Sequence, residues 1–136
     1  MTATEKNYIL PRSGNAPLAF IGKVIARADG SDVPGDKPIR WHELTIFETD
    51  DDMLVVSISY KTDWQGELNW LDAWFVEDME KAVEAFRQHN PTEHVKGFPP
   101  SHHYAERQLR LLDDIRERYA ALVSEVLKDF PERNTP

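Results

Sequence analysis

The chain has no cysteine, which excludes disulfides, thiolate chemistry, cysteine-ligated zinc and iron–sulfur clusters. Glycine is sparse. The six residues at 14, 22, 30, 35, 66 and 97 are scattered, and none of the Gly-x-Gly-x-x-Gly, Walker or Gly-x-Ser-x-Gly patterns occurs. No apolar run approaches the roughly 20 residues a bilayer span requires, so no membrane association is expected. The polar N-terminus lacks the apolar segment of a signal peptide, and a cytoplasmic protein is the expectation. Base is also in deficit. Sixteen Lys and Arg face 24 Asp and Glu, a net charge of −8, which disfavours direct binding to nucleic acid.

What is present is concentrated. Residues 41–80 hold all four tryptophans and eleven acids against the single base Lys61. Six of those acids have local explanations. Asp50, Asp51 and Asp52 suit a solvated turn, while Glu77, Asp78 and Glu80 suit a helix N-terminus. Glu43, Glu48, Asp63, Glu67 and Asp72 stay interleaved with Trp41, Trp64, Trp70 and Trp74.

A chain of 136 residues suits one domain. Residues 1–16 read as an N-terminal tail with a turn at Ser13-Gly14-Asn15, 17–130 as a single α+β domain, and 131–136 as a C-terminal tail. Four strands are expected, at about 17–27, 39–48, 53–61 and 70–76, with a bulge at Gly22. The third alternates most cleanly, with Leu54, Val56, Ile58 and Tyr60 on one face. The 28–38 segment, rich in Gly, Pro and Asp, reads as a loop, and Gly66 supplies a tight bend in 62–69. The order and short turns predict an antiparallel four-stranded meander.

Two helices follow. In 78–89, Met79, Ala82, Val83 and Phe86 form one apolar stripe and Asp78 is placed to cap it. A long helix should run over about 101–130, stopped by Pro131. Its stripe, Ala105, Leu112, Tyr119 and Val126 with Ile115 and Leu122, is flanked by Leu109, Val123 and Phe130. That width fits packing on the domain's own sheet better than a coiled-coil seam. Its length leaves two further expectations: a projecting C-terminal half, or a homodimer through this helix.

Candidate sites are of three kinds. The histidines crowd together, and His102, His103 and Glu106 are the metal ligands that helical spacing allows. Adjacent histidines point roughly 100° apart around a helix, so a metal site is not expected, nor any cofactor. Carboxylates on different strands, such as Glu43 and Asp72, could be neighbours and pair for acid–base work.

The tryptophans carry the favoured reading. If Leu71, Ala73 and Phe75 face the helices, an open sheet face would display Trp41, Phe47, Trp70 and Trp74 around Asp72, with Trp64 nearby. Such a surface suits a non-enzymatic interaction or regulatory protein whose partner is a protein with a basic surface. The alternative is a small-ligand-binding domain or enzyme with an aromatic-lined pocket between sheet and helices. Arg40, His42 and Glu43 would then supply polar contacts.

Overall fold

The computed structural model describes residues 5–130, so the expected 131–136 tail lies outside the described residues. The fold is α+β. Five antiparallel strands form one meander in the order β1 (Lys6–Arg12), β2 (Asn15–Asp29), β3 (Arg40–Thr49), β4 (Leu54–Thr62) and β5 (Trp70–Val76). Helix α1 (Met79–Gln88) and helix α2 (Ala105–Val126) follow, α2 being preceded by a 3-10 turn over His102–Tyr104.

The strand count corrects the expected four. Part of the segment read as a tail is β1, which pairs with β2 across a hairpin turn at Ser13 and Gly14. Gly14 takes a positive φ of 76° there, which its lack of a Cβ permits. Pro11 has no amide to donate, and the ladder register shifts beside it, between Leu10 and Arg12.

The hairpin also curls the sheet. The Ser13 amide donates to the Leu71 carbonyl at 2.7 Å, and the Leu71 amide donates to Ser13 Oγ at 2.9 Å. These bonds tie the β1–β2 turn to β5 and fold the hairpin over one sheet face. A small aromatic core results, in which Leu18, Phe47, Val55 and Ala73 pack with Tyr8, Leu10 and Phe20. Tyr8 and Phe20 each meet Phe47 edge-on, with centroids 4.9 and 5.1 Å away.

The opposite face carries the helices. Leu44, Ile46, Val56, Ile58 and Val76 meet Ala82, Val83 and Phe86 of α1 and Tyr119, Val123 and Val126 of α2. Full burial of a side chain such as Phe86 contributes about 1.5–3 kcal/mol. Asp78 caps α1 as expected, its side chain accepting from the Lys81 amide at 2.9 Å. The Tyr119 hydroxyl crosses between helices to the Phe86 carbonyl at 2.7 Å.

Two details differ from expectation. The β2 irregularity lies between Val24 and Ala26, not at Gly22. Gly22 instead lets the backbone of Glu48 and Thr49 approach so closely that a Cβ would collide with it. In α2 the burial sits in the C-terminal half, at Ile115, Tyr119, Val123 and Val126, so that half is docked and does not project. The N-terminal half is the exposed one, with Leu109 62% exposed. Twenty-two residues make a helix of about 33 Å.

Candidate functional site

Strand register decides which expected site residues meet. His42, Tyr60 and Trp70 form one cross-strand row, Leu44, Ile58 and Asp72 the next, and Ile46, Val56 and Trp74 a third. All three rows lie on the helix face, because side chains alternate along a strand. Trp41, Glu43 and Phe47 point to the other face. The expected single surface of Trp41, Phe47, Trp70 and Trp74 is therefore not formed. Leu71, Ala73 and Phe75 face the aromatic hairpin, the reverse of the assumed orientation. Glu43 and Asp72 are likewise on opposite faces, so the carboxylate pairing is not made.

Each tryptophan has its own surroundings. Trp70 stacks on His94, with centroids 4.1 Å apart and planes 15° from parallel. Trp74 packs against the helix-side core. Trp41 donates through Nε1 to Glu43 at 3.1 Å and carries the Lys37 ammonium 4.0 Å above its ring. Trp64, 39% exposed, lies under the Arg40 guanidinium at 4.7 Å. The expected metal candidates His102, His103 and Glu106 are exposed, and Glu106 pairs with Arg110 at 3.3 Å. Among the described residues no group of three His, Asp or Glu is placed to hold a metal.

Glu67 organises the end of the sheet. Its side chain has no exposed surface, yet its carboxylate is fully engaged. Arg40 donates to both oxygens, with Nη2 at 2.7 Å and Nε at 3.0 and 3.1 Å. The Tyr60 hydroxyl at 2.5 Å, the Thr62 hydroxyl at 2.9 Å and the Lys96 amide at 3.1 Å complete the set. Burial alone would raise the Glu67 pKa. The hydrogen bonds from Arg40, Tyr60 and Thr62, together with the Arg40 charge, outweigh it and hold the pKa down to about 2. One carboxylate thereby ties β3, β4, the 62–69 bend and the 90–100 connection together. Gly66 supplies the positive φ of 91° that bend requires.

Next to this clamp, between the sheet and α2, lies a cavity of about 50 Å³. Arg40, Trp41, His42, Tyr60, Ile115 and Tyr119 line it with Gly30, Leu122 and the rim pair Asp114–Arg118. A wider cleft of about 580 Å³ runs outward between the 28–38 loop and α2, sharing Gly30, Arg118 and Leu122 with the inner cavity. Gly30 anchors that loop by donating to the His42 carbonyl at 2.8 Å. A Cβ at Gly30 would stand 2.9 Å from the same oxygen, so glycine lets the loop lie flat on β3.

His42 forms the inner wall. It is 5% exposed and its Nε2 has no hydrogen-bond partner, the sole such buried side-chain atom among the described residues. Rings surround it: Tyr119 at 5.0 Å, Tyr60 at 5.3 Å and His89 at 6.0 Å. Burial, reinforced by the charge of His89, lowers its pKa to about 4, so the imidazole is neutral near pH 7. His89 is itself lowered, mainly by burial and with a contribution from His94, against the opposing charges of Glu93 and Asp72. A buried polar atom without a partner is uncommon enough in folded proteins to need a reason.

No protein-family model, curated protein or solved structure matches this chain.

Arg40 and His42, both singled out in the sequence, meet at the cavity, and Trp41 borders it while its side chain points to the opposite sheet face. Trp64, Trp70, Trp74 and Glu43 do not line it. Tyr60 and Tyr119 line the cavity and Glu67 adjoins it through Arg40 and Tyr60, whereas sequence reasoning assigned them to a strand face, a helix stripe and an acidic block. Gly30 carried a faint signal as a glycine at the start of the loop.

Proposed function

We propose that this protein is a small-ligand-binding domain whose site is the cleft between the 28–38 loop, the β3 end and α2. The observation that carries this reading is the inner cavity, walled by the buried, neutral His42 ring and continuous with the wider cleft through Gly30, Arg118 and Leu122. An apolar floor of Ile115 and Leu122 with one neutral polar ring resembles small-molecule pockets generally, which are mostly apolar with few placed polar groups. Binding is favoured over catalysis. Among the described residues no carboxylate or hydroxyl hydrogen-bonds to His42, as an oriented general base would require.

The test uses cavity filling. A small-molecule library is screened by thermal shift and NMR against the native chain and Leu122→Trp. Leu122 lines both the cavity and the cleft, so hits on the native chain should be lost in the variant. An absence of hits, or hits indifferent to Leu122→Trp, would end this reading.

Protein interaction is the second reading, supported by a different surface. Trp64, Ile39 and Leu68 are exposed around the Glu67 bend, Leu68 by 81%, and the Asp63 amide donates to the Ile39 carbonyl at 2.8 Å. Exposed aromatic and aliphatic groups beside acids suit a protein partner with a basic surface. A homodimer through α2 would use the exposed Leu109.

A further inference from the structure

Two openings on the helix side of the sheet are separated by one side chain. A groove of about 370 Å³ lies over β5 and α1, lined by Trp74, Val76, Ala85, Gln88 and His89 with the Lys81–Glu84 pair. The inner cavity lies beyond it, with His42 and Tyr119 in its wall. The His89 ring lines the groove and also meets those two rings, with centroids 6.0 Å from His42 and 5.5 Å from Tyr119. It stands between groove and cavity.

The backbone lets this ring move by itself. His89 is the C-cap of α1, with extended φ and ψ of −65° and 135°, so a swing there unwinds no helical turn. Further along, the connection is held in place. His94 stacks on Trp70, the Lys96 amide donates to Glu67 and the Phe98 amide donates to Gln108 at 2.9 Å. These ties survive mild acid, because an indole face also holds an imidazolium and Glu67 stays ionised down to about pH 2. Between Asn90 and Glu93 the bonds are internal: the Thr92 amide and hydroxyl donate to Asn90 Oδ1, and the Glu93 amide donates to the Asn90 carbonyl.

The charges around His89 oppose its protonation in place. His42 of β3 and Tyr119 of α2 are neutral near pH 7 and offer no counter-charge. Asp72 of β5 and Glu93 of the connection attract a cation, and His94 repels one. On α1, Glu84 is engaged by Lys81 and Gln88. Burial outweighs the two attracting acids, so the imidazolium is more stable in water than against the two rings.

We propose that His89 is an acid-operated gate between the groove and the inner cavity. The neutral ring closes the passage against His42 and Tyr119, and the protonated ring swings outward about the 89–91 backbone. The gate goes beyond the ligand-binding reading and does not require the outer cleft to be occupied. Its sign follows from burial. The closed state favours the neutral ring, so closure is complete above about pH 6.5, the ordinary histidine value, and weakens as the pH falls. Each pH unit below that value moves the balance toward the open state by up to tenfold. His42 stays enclosed by Tyr60 and Tyr119 over the same range.

NMR relaxation dispersion of the full chain at pH 7 and pH 5 tests the gate, because such openings fall on the microsecond to millisecond scale. A dissolved neutral nitroxide, which broadens newly uncovered rings, reports on Tyr119. Exchange should appear at the amides of His89, Asn90, Thr92 and Glu93, with the open population rising about tenfold between pH 7 and pH 5. His94, Lys96 and Phe98 should show none, and the nitroxide should broaden Tyr119 in acid alone. His89→Phe keeps a ring in place and takes no proton, so both responses should vanish. His89→Gln serves the same purpose should the larger ring disturb packing. His94→Phe should leave both responses intact. Absence of acid-induced exchange at 89–93, or its survival in the His89 variants, overturns the gate. Exchange spread equally over 94–98, or its loss in His94→Phe, overturns it as well.

Discussion

Replacing Glu67 by Gln preserves shape and removes charge, which isolates what the buried carboxylate contributes. The folded-state pKa of about 2, against 4.5 for the free side chain, corresponds to about 3 kcal/mol of stability at neutral pH. The sign follows from the depressed pKa. The contribution is complete above about pH 4.5 and is lost as the pH falls toward 2, where the native carboxyl also becomes neutral. At pH 7, Glu67→Gln should therefore unfold about 3 kcal/mol more easily. For 136 residues that is a fall of about 10 °C in Tm, from the usual unfolding entropy per residue. Leaving Arg40 buried without its partner adds to the loss. Urea unfolding of both chains at pH 7, 5, 4 and 3 measures the gap directly. A loss below about 1 kcal/mol at pH 7, or one that stays constant down to pH 3, would refute this account of the clamp.

Other outcomes follow from the same geometry. His42 should remain neutral down to about pH 4, and imidazole titration by NMR checks this. An ordinary pKa near 6.5 would mean that the ring is not buried as described. Because the folded pKa is depressed, the stability linked to His42 is present above about pH 6.5 and declines as the pH falls toward 4. His42→Phe should therefore gain about 2 kcal/mol relative to the native chain between pH 7 and pH 5, read from urea midpoints. Gly30→Ala forces a Cβ against the His42 carbonyl and should cost about 1–3 kcal/mol and loosen the 28–38 loop, seen as faster amide exchange at Gly30. Phe86→Ala should cost about 3–5 kcal/mol in a chemical-denaturation assay, since the ring is fully buried between sheet and helices. A small effect there would place α1 off the sheet.

Local pattern was legible wherever one face of an element is apolar and the other wet. The alternation of β4 and the stripe of α1 are of this kind, and the capping Asp78, the positive-φ Gly66 and the Asp50–Asp52 turn are local chemistry. The 7-residue β1 was hidden because its pattern is short and includes Pro11. Its burial depends on a fold-over held by Ser13 and Leu71, 58 residues apart. The two tryptophans of β5 were placed on the wrong face for a related reason. Trp70, Asp72 and Trp74 alternate with Leu71, Ala73 and Phe75, and both sets have enough apolar surface to be buried.

The lack of cysteine, the deficit of base against acid, the antiparallel meander followed by two helices, and the acids grouped with tryptophans are properties of the sequence by itself. They depend on composition and on periods of two and 3.6 residues, which neighbours in the chain set. Only the tertiary structure decided that Trp41 and Trp70 lie on opposite faces. The same is true of Glu67, which is a clamp and not a surface acid, and of His42, which is buried beside a cavity with its Nε2 unpartnered. Each of those depends on strand register and on segments tens of residues apart meeting. A one-residue change of register would reverse every face, and the local pattern of a sheet apolar on both sides does not select between them.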